Sequence, residues 1–121
     1  MVTMAPARRL TRGVSQTMVV NSPLQRLCKW YTSQCDGEWE HDWGLKIQTL
    51  DNPGWCVEIN LRGTQLEDAP FDVHEDCYQH DTDWIRCWLE EQTFHIACGP
   101  ERLDAALQVF LDWATSIEDA G

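Results

Sequence analysis

From Leu45 to Leu50 and from Trp55 to Leu61, apolar and polar residues alternate. Leu45, Ile47, Trp55, Val57, Ile59 and Leu61 fall on one side and Lys46, Gln48, Glu58 and Asn60 on the other, which is the period of a strand with one wet face. Between the two runs, Asp51-Asn52-Pro53-Gly54 supplies a proline that presets φ and a glycine that accepts the positive φ of a type II turn. The segment predicts a hairpin. A second pair of alternating runs, Trp84 to Leu89 and Phe94 to Cys98, is joined by Glu90-Glu91-Gln92-Thr93 and predicts another. There Ile85, Cys87 and Leu89 point one way and Trp84 and Trp88 the other, the pattern of a strand covered on both sides.

Helical spacing appears at the two ends. Ser22-Pro23-Leu24-Gln25 has the N-cap serine, the proline at the first helical position and the glutamine of a capping box. Leu24, Leu27, Cys28 and Tyr31 follow as an apolar stripe, with Trp30 off it at the edge. This helix stops near Gln34, and Asp36-Gly37 forms the turn after it. Gly99-Pro100-Glu101 opens a last helix with a stripe of Leu103, Ala106, Leu107, Phe110, Trp113 or Ala114, and Ile117. The acidic connection from Gln65 to Thr82 has room for one short strand near Pro70 to Val73, and Pro70 confines it to a sheet edge. Helix, two strands, edge strand, two strands, helix predicts an α+β fold. Its antiparallel sheet has about four strands built from two hairpins, with an N-terminal and a C-terminal helix on one face. Residues 21–121 read as a single domain and 1–20 as a flexible tail, in which Met18 is a second candidate start.

The stretch between the first helix and the first hairpin has a different character. Asp36, Glu38, Glu40 and Asp42 alternate with Gly37, Trp39, His41 and Trp43. Extending the strand back to Trp39 puts both tryptophans on the buried side and lines the carboxylates up outside. Like charges on one strand face repel, so the cluster is either a solvated rim or a docking site for something cationic. The loop acids Asp68, Asp72, Glu75, Asp76, Asp81 and Asp83 add to it. The formal net charge is −11, no acid precedes Asp36, and from Asn21 onward six basic residues stand against 20 acidic ones. A body so acidic repels nucleic acid and anionic membranes and speeds encounter with a basic protein.

Six cysteines would suggest a disulfide framework in a secreted mini-protein. No apolar stretch of signal-peptide or membrane-span type accompanies them, so the reading is reduced thiols and a cytoplasmic location. His74, Cys77 and His80 are ligand types that zinc accepts, with Cys87, His95 and Cys98 as completers, but their spacing matches no common zinc pattern. Cys98 ends a strand before a helix, one turn from Arg102, where dipole and charge lower a thiol pKa. Against that, Pro100 removes an amide donor and the loop is short for an oxyanion cradle. Glu38 and Glu40 are a carboxylate pair without a visible pocket.

Trp30-Tyr31, Gln34-Cys35-Asp36-Gly37, Trp39-Glu40-His41, the run Thr49 to Trp55, and Leu61 to Thr64 resemble the signature of the immunity protein 53 family of bacterial polymorphic toxin systems. The likeness is close over Leu27 to Thr64 and thinner in Asp83 to Cys87 and the last helix. It implies a small protein that binds and neutralises a cognate toxin domain, with no catalytic residues and no cofactor. The expected toxin-binding residues are Asp36, Glu38, Trp39, Glu40, His41, Asp42 and Trp43, with Asp72, Glu75 and Asp76 as a second group. Trp39 or Trp43, if exposed, would be the hot spot. The rival readings are a thiol-dependent transferase using Cys98 and a small metal-binding protein.

Overall fold

The computed structural model describes residues 22–76 and 80–120; the expected tail, with Met18, lies outside them, as does Cys77. Helix α1 is Pro23–Gln34 and begins on the expected capping box. The Ser22 hydroxyl accepts the Gln25 amide (3.1 Å) and the Gln25 side chain accepts the Ser22 amide (2.9 Å). A short helix, α2, spans Trp39–Asp42. Strands β1 (Leu45–Leu50) and β2 (Gly54–Asn60) form the first hairpin, and β4 (Ile85–Glu90) and β5 (Thr93–Cys98) the second. Strand β3 is His74–Asp76 and helix α3 is Leu103–Ala120.

All neighbouring strands are antiparallel, and the order across the sheet is β1-β2-β5-β4-β3. The five strands exceed the expected four by β3, the edge strand. It begins after the expected Pro70 to Val73, because Phe71 and the Pro70 carbonyl of that segment are turned onto the core side chains. Phe71 packs edge-on against Phe94 at 4.8 Å between ring centroids, and the Trp113 indole donates to the Pro70 carbonyl (2.9 Å).

Alternation along β2, β4 and β5 sorts side chains as the sequence predicts, whereas in β1 Ile47, expected on the buried side, is exposed. Val57, Ile59, Ile85, Cys87, Phe94 and Ile96 are buried beneath the helices, against Ala106, Leu107, Phe110 and Ala114 of α3. Each such aliphatic or aromatic side chain contributes about 1.5–3 kcal/mol by leaving water. Helix α1 departs from its expected stripe: Leu27 and Trp30 are buried, whereas Leu24 and Tyr31 are exposed. Trp30 turns inward because two aromatic partners and a polar one wait there. It meets Trp39 (5.8 Å) and Phe110 (5.0 Å) edge-on, and its indole N–H reaches the Glu118 carboxylate (3.2 Å). Each edge-to-face pair adds about 0.5–1.5 kcal/mol beyond burial.

The sheet's other face carries Lys46, Gln48, Cys56, Glu58, Arg86, Trp88 and His95 by register. Among the described residues no second layer covers it, contrary to the expectation for β4. Trp88 is shielded by neighbours instead, stacked on His95 at 5.1 Å with Arg86 over its ring at 4.8 Å. Among the described residues no helix is long and apolar enough to cross a membrane.

The second hairpin turns through Glu91 (φ 54°) and Gln92 (φ 60°), both left-handed. Positive φ at both central residues is the type I′ pattern, which Asn-Gly fits best and which costs other side chains about 1 kcal/mol or more each. Replacing Glu91-Gln92 by Asn-Gly is therefore expected to raise the unfolding free energy by about 1 kcal/mol in urea titrations; no gain would show that the turn is unstrained.

Candidate functional site

The acidic stretch before β1 is built by its own carboxylates. Asp36 Oδ1 accepts the amides of Glu38 (2.9 Å) and Trp39 (3.0 Å), while Glu40 reaches back to accept the amides of Asp36 (2.9 Å) and Gly37 (2.8 Å). Gly37 takes φ +94° to allow it. Gly44, at φ +65°, then ends α2, its amide donating to the Trp39 carbonyl (3.1 Å). The expected strand from Trp39 with an outer row of carboxylates is thus corrected to a capped helical turn. Local bonds from acidic side chains to the backbone outweigh an alternating pattern when they satisfy several amides at once.

This capping separates the residues of the first expected group. Trp39 is driven inward, 4% exposed, and its indole donates to the Asn60 carbonyl (3.3 Å). It belongs to the core and cannot serve as a hot spot. Asp36 and Glu40 are occupied by backbone amides, which hold both carboxyls below their ordinary pKa; for Asp36 the Trp39 amide contributes most. Glu38, His41, Asp42 and Trp43 face outward. Trp43 is 48% exposed, with the Arg62 guanidinium 5.0 Å above its ring. Glu38 and Asp42 carry no side-chain ion pair or hydrogen bond to any described residue.

Asp72, Glu75 and Asp76 lie at the other side of the sheet, around β3. With neighbouring strands about 4.8 Å apart, four spacings separate the two edges by about 19 Å, so the structure does not bring the two acidic groups together. Glu75 is paired with Arg86 (2.9 Å), and Asp76 with Arg102 (2.6 Å), which also bonds Asp83. Asp72 is exposed.

That pairing bears on the Cys98 reading. Arg102, the cation an oxyanion would need, is already paired with two carboxylates beside an open cleft of about 450 Å³ that it helps to line with Thr82, Asp83 and Glu101. Cys98 is fully buried, and burial pushes its thiol up to about 11, more than the Trp55 amide and the Arg102 charge pull it down. It stays a thiol at neutral pH, the wrong form for a nucleophile. The zinc reading meets a different obstacle. Nδ1 of His80 accepts the amides of Thr82 (3.1 Å) and Asp83 (2.9 Å), and His95 lies on the face opposite Cys87 and Cys98. Among the described residues no three His, Cys, Asp or Glu side chains converge on one point. Glu38 and Glu40 also diverge, since Glu40 is turned onto the Asp36 and Gly37 amides.

Periodicity misassigned Leu24 and Tyr31 to the core. Both stand exposed beside β1, together with Ile47, and flank a shallow apolar groove of about 260 Å³. The signal was the width of the α1 stripe: Leu24, Leu27, Trp30 and Tyr31 together span more of the helix than one neighbour can cover.

The family model described as Immunity protein 53 matches residues 24–115. No curated protein and no solved structure matches the chain.

Because the Asp36 and Glu40 carboxyls titrate lower in the folded chain, the stability they add is complete above their unfolded values near about pH 4. It is lost as pH falls through the lower folded values. The Asp36→Asn, Glu40→Gln double variant is expected to be less stable at pH 7 and to lose less stability between pH 5 and pH 3, measured by urea unfolding. Parallel curves for variant and wild type would show that these carboxylates do not cap the loop.

Proposed function

From membership of the immunity protein 53 family, to which this chain belongs, we propose that it neutralises a cognate toxin domain by stoichiometric binding rather than by catalysis. The observation that carries this reading is the family match over residues 24–115. The surface chemistry supports it: an exposed indole, Trp43, stands beside the unengaged carboxylates of Glu38 and Asp42. Tryptophan is among the side chains most enriched at binding hot spots. The net charge of −11 steers a basic partner toward that surface. His41 and the capped Asp36 and Glu40 complete the same rim, while Asp72, with the paired Glu75 and Asp76, forms a second acidic site about one sheet-width away. The rim at α2 is the principal contact, because its outward carboxylates need not give up an arginine to meet a new cation. The chain acts without a cofactor, in the cytoplasm, where the toxin would do its damage.

Reversing the outward charges with Glu38→Lys plus Asp42→Lys is expected to slow association with the toxin about tenfold or more at low salt. Trp43→Ala is expected to weaken the complex by about 2 kcal/mol. Both leave the melting temperature within a few degrees of wild type, because neither position is buried. Stopped-flow association and co-expression survival measure these effects, and unaltered association and protection at equal soluble expression would remove the α2 rim from the interface.

A further inference from the structure

The two edges of the sheet are treated differently. At one edge, β3 has three residues and its Glu75 and Asp76 are held in ion pairs, devices that discourage another strand from pairing there. At the other, β1 has six residues, Leu45-Lys46-Ile47-Gln48-Thr49-Leu50, with one charge and no proline. The Asn60 amide donates to the Gly44 carbonyl (3.0 Å), and the register pairs Lys46 with Glu58 and Gln48 with Cys56. The alternation of an antiparallel ladder then turns the amides and carbonyls of Lys46, Gln48 and Leu50 toward β2, and those of Leu45, Ile47 and Thr49 outward.

The outward groups lie along an apolar groove between β1 and α1, lined by Leu24, Leu27, Cys28, Tyr31, Leu45 and Ile47. Three of the five large hydrophobic side chains exposed among the described residues, Leu24 (54%), Tyr31 (37%) and Ile47 (37%), flank it. A strand added to β1 would turn alternate side chains into this groove. Both ends of the edge are acidic: Glu38 and Asp42 stand before β1 and Asp51 follows it, all exposed.

We propose that the toxin is captured by β-augmentation: an extended segment of it pairs with the edge of β1, places apolar alternate side chains in the groove against Leu24, Tyr31 and Ile47, and meets the acids at either end with basic flanks. This rests on the immunity reading and adds to it the binding mode and the chemistry of the segment recognised. Main-chain bonds supply affinity in this mode and the side-chain pockets supply specificity. Charge decides against a second copy of this chain as the occupant, since each copy carries −11 and would bring acids to acids.

The test uses the full chain and, as probe, an inactivated toxin domain encoded beside its gene, with affinity measured by calorimetry. Thr49→Pro removes one outward amide without touching the ladder to β2, and Ile47→Lys puts a charge into the groove. Ala105→Lys, at an exposed site of α3 outside the groove and both acidic sites, is the control. Each edge variant is expected to bind at least 100-fold more weakly than wild type, with the control unchanged and all three melting cooperatively. If one edge variant does not fold, the other carries the test alone. Wild-type affinity in a folded edge variant overturns the augmentation and leaves the immunity reading standing. Sedimentation that shows a wild-type dimer split by the edge variants, with toxin affinity intact, assigns the edge to a second copy and also overturns it. A wild-type chain that binds no such toxin domain sinks the immunity reading, and this inference with it.

Discussion

Two helices have to cover one face of a five-stranded sheet, and among the described residues the shorter of them leaves an end uncovered. Helix α3, 18 residues long, carries most of the burial, packing Ala106, Leu107, Phe110 and Ala114 on the central strands. Helix α1, of 12 residues, is anchored through Leu27 and Trp30 to α3 and the Trp39 ring, and this tilts its remaining apolar side chains out over β1. A helix presents an apolar stripe of limited width, so a face that serves α3 cannot also seal the sheet edge. The exposed Leu24, Tyr31 and Ile47 are the consequence of that constraint.

The turn from Asp36 to Gly44 is the second fixed point. Its two capping carboxylates satisfy four backbone amides, and that local economy places Trp39 under Trp30 and Trp43 in solvent. Several residues on which the family resemblance rests, Asp36, Gly37, Trp39 and Glu40, are the ones that build this turn. The resemblance therefore reports architecture as much as recognition. In the proposed binding mode, recognition falls to what the turn holds outward, Glu38, Asp42 and Trp43, and to the strand it launches.

Much of the fold was legible in the sequence because its signals were local. The alternation through β2, β4 and β5, the Ser22-Gln25 capping box and the α3 stripe each depend on neighbouring residues alone. Asp51 to Gly54 makes the expected hairpin but not the expected type II turn, because Gly54 takes no positive φ and its missing side chain instead clears the Cys98 carbonyl of β5. The errors came where a distant partner or a side chain bonding the backbone decided the outcome. Trp30 displaced Tyr31 from the core because Phe110 and Glu118, some eighty positions away, offered it better contacts. The alternating acids from Asp36 to Asp42 looked like a strand until their carboxylates found amides within four residues. The short β3 was displaced past Val73 because Phe71 was needed against Phe94. The candidate site shared this fate: the acids were visible, but which of them remained available depended on caps and ion pairs that no pattern records.

If a bare edge is the part of this fold kept ready for a partner, its outward amides must change state on binding while the rest of the ladder does not. Amide hydrogen exchange, read residue by residue in the free chain and in the toxin complex, measures this directly. The amides of Leu45, Ile47 and Thr49 should exchange rapidly in the free chain and become strongly protected in the complex, with those of Lys46 and Gln48 slow in both. Outward amides that exchange as fast in the complex as in the free chain would contradict the account.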